Sequence, residues 1–192
     1  MKKKTSTLPN MVLSLTLIAS VAALALGGAY IITKEPIARA QEAKREAAIM
    51  AVLPEFDRIE VHTQTLDGGE IVLNKAYKDG EHIGTAIETF TNRGFSGLIR
   101  LMVGLLDDGT IHGVSVLEHK ETPGLGDKIE PRKSNWFDRT IKGKNPLQTP
   151  LKVNKDGGDV DAITAATITT RAYCDAVNRA AQAKTMNQQL ND

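Results

Sequence analysis

The stretch that decides the fold is Leu98–Leu117, LIRLMVGLLDDGTIHGVSVL. Ile99, Leu101, Val103 and Leu105 alternate with other residues at period two, the spacing of a strand that buries one face. Asp107-Asp108-Gly109 follows as a turn signal, and Thr110–Leu117 resumes a strand-like pattern. So short a connection forces antiparallel pairing, because parallel strands need a long crossover.

The same pattern extends toward lower numbers. Ile59, Val61, Thr63 and Thr65 predict a first strand, Glu70–Tyr77 a second and His82–Thr91 a third. Asp67-Gly68-Gly69 and Lys78-Asp79-Gly80 are the turn signals between them. Beyond Leu117, Pro131–Lys142 predicts a short helix presenting Trp136 and Phe137. A longer helix is predicted from Ala166 to about Met186, with Ala172, Ala176, Val177 and Ala180 on one face. The fold class is therefore α+β: an antiparallel sheet with helices packed against it.

Before this domain lies Met11–Ile32, 22 residues without a charged side chain. At about 1.5 Å per residue a helix of that length spans a bilayer core. A secretory signal is the alternative, with Ala23-Leu24-Ala25 as its cleavage site, but the apolar run continues past it to Ile32. Lys2–Lys4 predict a cytoplasmic N-terminus at 1–10, a transmembrane helix at 11–32 and an extracytoplasmic domain at 55–192. Residues 33–54 are rich in Ala, Glu, Lys and Arg and predict a juxtamembrane helical linker, with Pro36 in its first turn.

Residues 34–192 hold 21 basic and 23 acidic side chains, so no basic stripe suits them to nucleic acid. The one cysteine, Cys174, excludes an intrachain disulfide framework and a cysteine-bound iron–sulfur cluster, and reads as a buried core residue. His62, His82, His112 and His119 lack the spacing of a helical metal site and read as exposed strand or loop residues. No metal and no catalytic acid–base pair is expected.

Three stretches can carry chemistry. In Asn92-Arg93-Gly94-Phe95-Ser96-Gly97, two glycines around an aromatic allow backbone to approach a ligand. His119-Lys120-Glu121-Thr122-Pro123-Gly124-Leu125-Gly126 can present N–H groups and one aliphatic side chain to a flat ring, or be a tight surface turn. Asp161-Ala162-Ile163-Thr164-Ala165-Ala166-Thr167-Ile168-Thr169-Thr170 interleaves four threonines with alanines where a helix should begin. Composition leaves it open between a helix cap and a phosphate site.

The order of these stretches resembles a known family. Asp161-x-x-Thr164-Ala165-Ala166-Thr167 resembles the motif Dxx(S/T)GAT, at which a flavin transferase joins FMN through its phosphate to the last threonine. His119–Gly126 resembles the ETPGLG loop of the same FMN-binding domain. Anchor and domain together resemble the G subunit of Rnf-type ion-translocating electron-transport complexes, and the related C subunit of the sodium-pumping NADH:quinone reductase. The resemblance implies covalent FMN on Thr167, with Asp161, Thr164, Ala165, Ala166 and Thr169 at its phosphate end. It implies Glu121, Thr122, Gly124, Leu125 and Gly126 along the ring or ribityl chain, with Gly94 and Gly97 facing the same pocket. Trp136 is a weaker candidate there, since it also suits the core.

The implied partners are other membrane subunits and a flavin transferase. The implied role is electron transfer in a ferredoxin/NAD oxidoreductase complex of the cytoplasmic membrane, not standalone catalysis. A flavin subunit of another exported reductase and a non-redox anchored module are the alternatives. Ala165 stands where the family has glycine. It costs about 1–2 kcal/mol if its φ is positive and nothing if it is α-helical.

Overall fold

The computed structural model describes residues 7–66 and 69–189. Lys2–Lys4 and the Asp67-Gly68 turn lie outside them. The chain divides into two units, residues 1–43 and 44–192.

In the first unit a helix, α1 (Leu8–Val52), begins and continues into the second. Its apolar part is long enough to cross a membrane, and its leucines, valines and isoleucines are exposed. Pro36 lies inside this helix and starts no new one. The helix tolerates the lost N–H because the flanking residues, KE before and IARAQEAKREAA after, are strong helix formers.

The second unit is a five-stranded antiparallel meander, with β1 (Arg58–Leu66), β2 (Gly69–Lys78), β3 (Glu81–Gly94), β4 (Gly97–Leu106) and β5 (Ile111–His119) in spatial order. Asp79 and Gly80, both at positive φ, make the two-residue turn from β2 to β3. β3 runs three residues past the expected Thr91, and Gly94 pairs with Gly97, so Phe95-Ser96 is a hairpin tip and not a long loop. After the sheet come α2 (Trp136–Thr140), much shorter than 131–142, and α3 (Thr167–Gln189).

Ile99, Leu101, Val103 and Leu105 face α3, which meets them with Ala172, Tyr173, Ala176, Val177 and Ala180. Three hydrogen bonds pin α3 to β3. Thr89 donates to the Ala176 carbonyl at 3.1 Å, Thr91 to Asp175 at 2.7 Å, and Arg93 to Asp175 at 3.0 Å. The opposite face of β4 is buried as well. Met102 packs with Ala48, Val52 and Leu53, the end of α1 and the residue after it. Gly104 and Gly113, paired across β4 and β5, leave the groove that takes Val52; a Cβ at Gly104 would lie 1.9 Å from the Val52 carbonyl oxygen. Arg45 and Arg100 bind the two oxygens of buried Glu88 at 2.7 and 3.1 Å, and Lys44 donates to the Leu117 carbonyl.

Cys174 is buried in α3, where burial pushes its thiol up to about 12. Trp136 is also a core residue, edge-on to Tyr173 at 5.1 Å.

Candidate flavin site

A cavity of about 390 Å³ opens where the β3–β4 hairpin tip, the loop after β5 and the start of α3 converge. It is within the range of cofactor-sized pockets, roughly 300–1,000 Å³. Its lining includes Glu121, Thr122, Leu125, Gly126, Ala165, Ala166, Thr167 and Thr169, all named from the sequence, together with Phe95 and Ile168. Three of the lining residues are exposed apolar side chains: Phe95, Leu125 and Ile168. They form an apolar rim above a polar floor.

The floor is built on Glu121, whose side chain is buried although carboxylates seldom are. Its Oε1 accepts from the Ser96 N–H at 3.0 Å and its Oε2 from the Thr169 hydroxyl at 2.5 Å. One carboxylate therefore ties the hairpin tip and α3 to the loop that carries it. Gly94 and Gly126 make room for it. A Cβ at Gly94 would lie 2.7 Å from Oε1, and one at Gly126 would lie 2.9 Å from Oε2. Gly94 and Gly97 thus flank Phe95, which reaches the cavity in their place. The Thr122 carbonyl accepts from the N–H groups of Leu125 and Gly126, closing the turn in which Gly124 sits at positive φ, beside the lining.

Behind the loop, His119 Nδ1 accepts from the Glu121 N–H at 3.0 Å, so Nε2 carries the hydrogen and donates to Glu130 at 2.7 Å. Lys133 also donates to Glu130, at 2.8 Å. Burial alone would raise the Glu130 carboxyl, but the hydrogen bonds from His119 and Lys133 outweigh it and hold the group below its ordinary value. The four histidines are half-buried, not exposed, and His119 supports the site.

The Asp161–Thr170 stretch reaches α3 through a turn in which Ala166 N–H donates to the Ile163 carbonyl. Ala165 takes φ +62° there, the left-handed region. The positive-φ alternative is the one realised, so the alanine carries the cost that glycine would avoid. Asp161 and Thr164 stand outside the lining. The Asp161 carbonyl accepts from Trp136 Nε1 at 2.7 Å, and its carboxylate from Asn154 at 3.2 Å, so it braces the turn from below.

The threonines have different surroundings. Thr169 is committed to Glu121. Thr170, buried, accepts from the Ile163 N–H and donates to the Ala166 carbonyl. Thr167 lines the cavity as the first residue of α3, and its oxygen accepts from Lys155 at 3.3 Å. The Thr170 N–H is bonded to the Ala166 carbonyl, and the N–H groups of Thr167, Ile168 and Thr169 precede it, at the positive end of the helix dipole. Such an end, beside an accessible hydroxyl, suits a phosphate. The apolar rim suits a flat ring, so the residues present fit FMN.

Comparison with known proteins gives the family. Residues 94–182 match the FMN-binding domain family. The chain is 39% identical over 165 residues to the G subunit of the ion-translocating oxidoreductase complex of Shewanella amazonensis, an alignment covering 77% of this chain and 74% of that one. It is 37% identical over 184 residues to the protein of the same name from Haemophilus influenzae, covering 90% and 88%. With that of Salmonella typhi it shares 50% over 109 residues, covering 55% and 52%.

Proposed function

Because the chain belongs to the family of ion-translocating oxidoreductase complex G subunits, we propose that it carries electrons within such a complex as a flavoprotein whose FMN is joined through its phosphate to Thr167. Bound FMN supplies redox chemistry that the side chains themselves lack. The chain's own residues bind and orient. The N–H groups at the start of α3 meet the phosphate, and Phe95, Leu125 and Ile168 exclude water from the ring. Glu121 keeps the three walls in register.

The observation that carries the attachment site is the distribution of the threonine hydroxyls. Thr169 and Thr170 are buried and donate to internal acceptors, whereas Thr167 opens on the cavity beside a lysine. The long apolar helix anchors the chain in the membrane. Under the same reading, residues 1–10 are cytoplasmic, 11–32 span the membrane, 33–54 link, and 55–192 lie on the extracytoplasmic side. A flavin transferase matures the protein, and the neighbouring membrane subunits give and take the electrons.

Coexpression with a flavin transferase tests this. The denatured wild-type band should fluoresce under near-ultraviolet light and the Thr167→Ala band should not. Copurification with integral membrane redox subunits tests the assembly.

A further inference from the structure

Lys155 is the lysine beside Thr167. It lies in the short 3₁₀ turn Asn154–Asp156, exposed, with its ammonium 3.3 Å from Thr167 Oγ1. Three acids close to it in sequence have other partners. Asp156 is held by Arg171 through two hydrogen bonds of 2.7 and 2.8 Å, Asp159 by Lys144, and Asp161 by Asn154. Among the described residues Lys155 forms no ion pair, and its one hydrogen bond is to the Thr167 hydroxyl. An exposed cation without an ion pair among the described residues, 3.3 Å from a hydroxyl that lines the cavity, is placed to meet a negative charge arriving from outside.

We infer that Lys155 is the positioning residue that draws the incoming flavin phosphate onto Thr167 and then neutralises the phosphodiester. The inference rests on the attachment at Thr167 proposed above. The step it serves is a displacement at phosphorus with a flavin dinucleotide as donor. The bond from Thr167 Oγ1 to the flavin-side phosphorus forms and the bond to the bridging oxygen breaks. The nucleoside monophosphate leaves with that electron pair, and the hydroxyl proton passes to a base of the transferase. Negative charge grows on the phosphate oxygens during this step. Lys155, beside the hydroxyl, and the N–H groups at the start of α3 both oppose that charge.

The test uses the full-length chain in detergent with purified flavin transferase and FAD, and reads the initial rate of covalent flavin incorporation from denatured-gel fluorescence. Lys155→Gln should lower the kcat of incorporation about tenfold, the size of one charge-assisted hydrogen bond, and leave the KM for the acceptor chain unchanged. Lys155→Arg should restore the rate. Thermal unfolding should be the same in all three proteins, since the side chain is exposed. An unchanged rate in Lys155→Gln overturns the inference and leaves Thr167 standing. A raised KM with unchanged kcat overturns it too, because Lys155 would then dock the transferase and not the phosphate. A dark wild-type band overturns the attachment itself, and the role of Lys155 with it.

Discussion

Thr169 Oγ1 donates to Glu121 Oε2 at 2.5 Å, across 48 residues of sequence. The bond joins the first turn of α3 to the loop after β5 at the floor of the cavity, and Ser96 N–H completes the junction from the β3–β4 tip. Glu121→Ala strands both donors and should cost about 3 kcal/mol in stability. Thr169→Val removes one partner and should cost about 1–2 kcal/mol. Thermal or denaturant unfolding of the full chain in detergent checks both, and a loss smaller in Glu121→Ala than in Thr169→Val would contradict the junction.

Ala165 offers a stabilising change. At φ +62° its Cβ opposes its own backbone, so Ala165→Gly relieves about 1–2 kcal/mol, partly offset by the greater freedom of glycine when unfolded. The net expectation is a variant no less stable than wild type, with its midpoint of unfolding unchanged or raised. A clear drop in that midpoint would mean that Ala165 is relaxed.

Gly104 reports on the other face of the sheet. Its absent side chain lets the Val52 carbonyl approach, and Gly104→Ala should cost about 1–3 kcal/mol by overpacking. The cost should appear as loss of protection from proteolysis around residues 44–53, while Cys174 on the α3 side stays shielded from thiol reagents.

Acid should act through Glu130. Its folded-state carboxyl lies below the ordinary 4.5, because the hydrogen bonds from His119 and Lys133 outweigh burial. The stabilisation is therefore complete above the unfolded value and is lost as pH falls through the folded one. Glu130→Gln lacks this contribution. Its unfolding free energy should fall less steeply than that of the wild type below about pH 4.5, and equal slopes would contradict the assignment.

Much of the fold was legible in sequence for definite physical reasons. Period-two alternation and Asp-Gly turns mark a meander, since each strand shows the face it buries and each turn the φ it needs. The cavity lining was legible through resemblance, in Glu121, Thr122, Leu125, Gly126 and the Ala165–Thr169 run. What escaped depends on distance along the chain. A glutamate in a Pro-Gly loop reads as solvated, and only the fold brings Ser96 and Thr169 to it from 25 and 48 residues away. Lys155 looks like any charge in a polar loop until the 3₁₀ turn sets it beside Thr167. Pro36 reads as a helix start, because one proline cannot reveal that its neighbours will carry the helix through it.

Everything proposed for the site turns on FMN being bonded to Thr167 and to no other threonine. The most direct measurement is the mass of the tryptic peptide Asp156–Arg171 from protein matured with a flavin transferase, fragmented to locate the adduct. That peptide should be heavier by one FMN less one water, with the added mass on Thr167 and absent in Thr167→Ala. An unmodified peptide, or an adduct on Thr164, Thr169 or Thr170, would contradict the attachment.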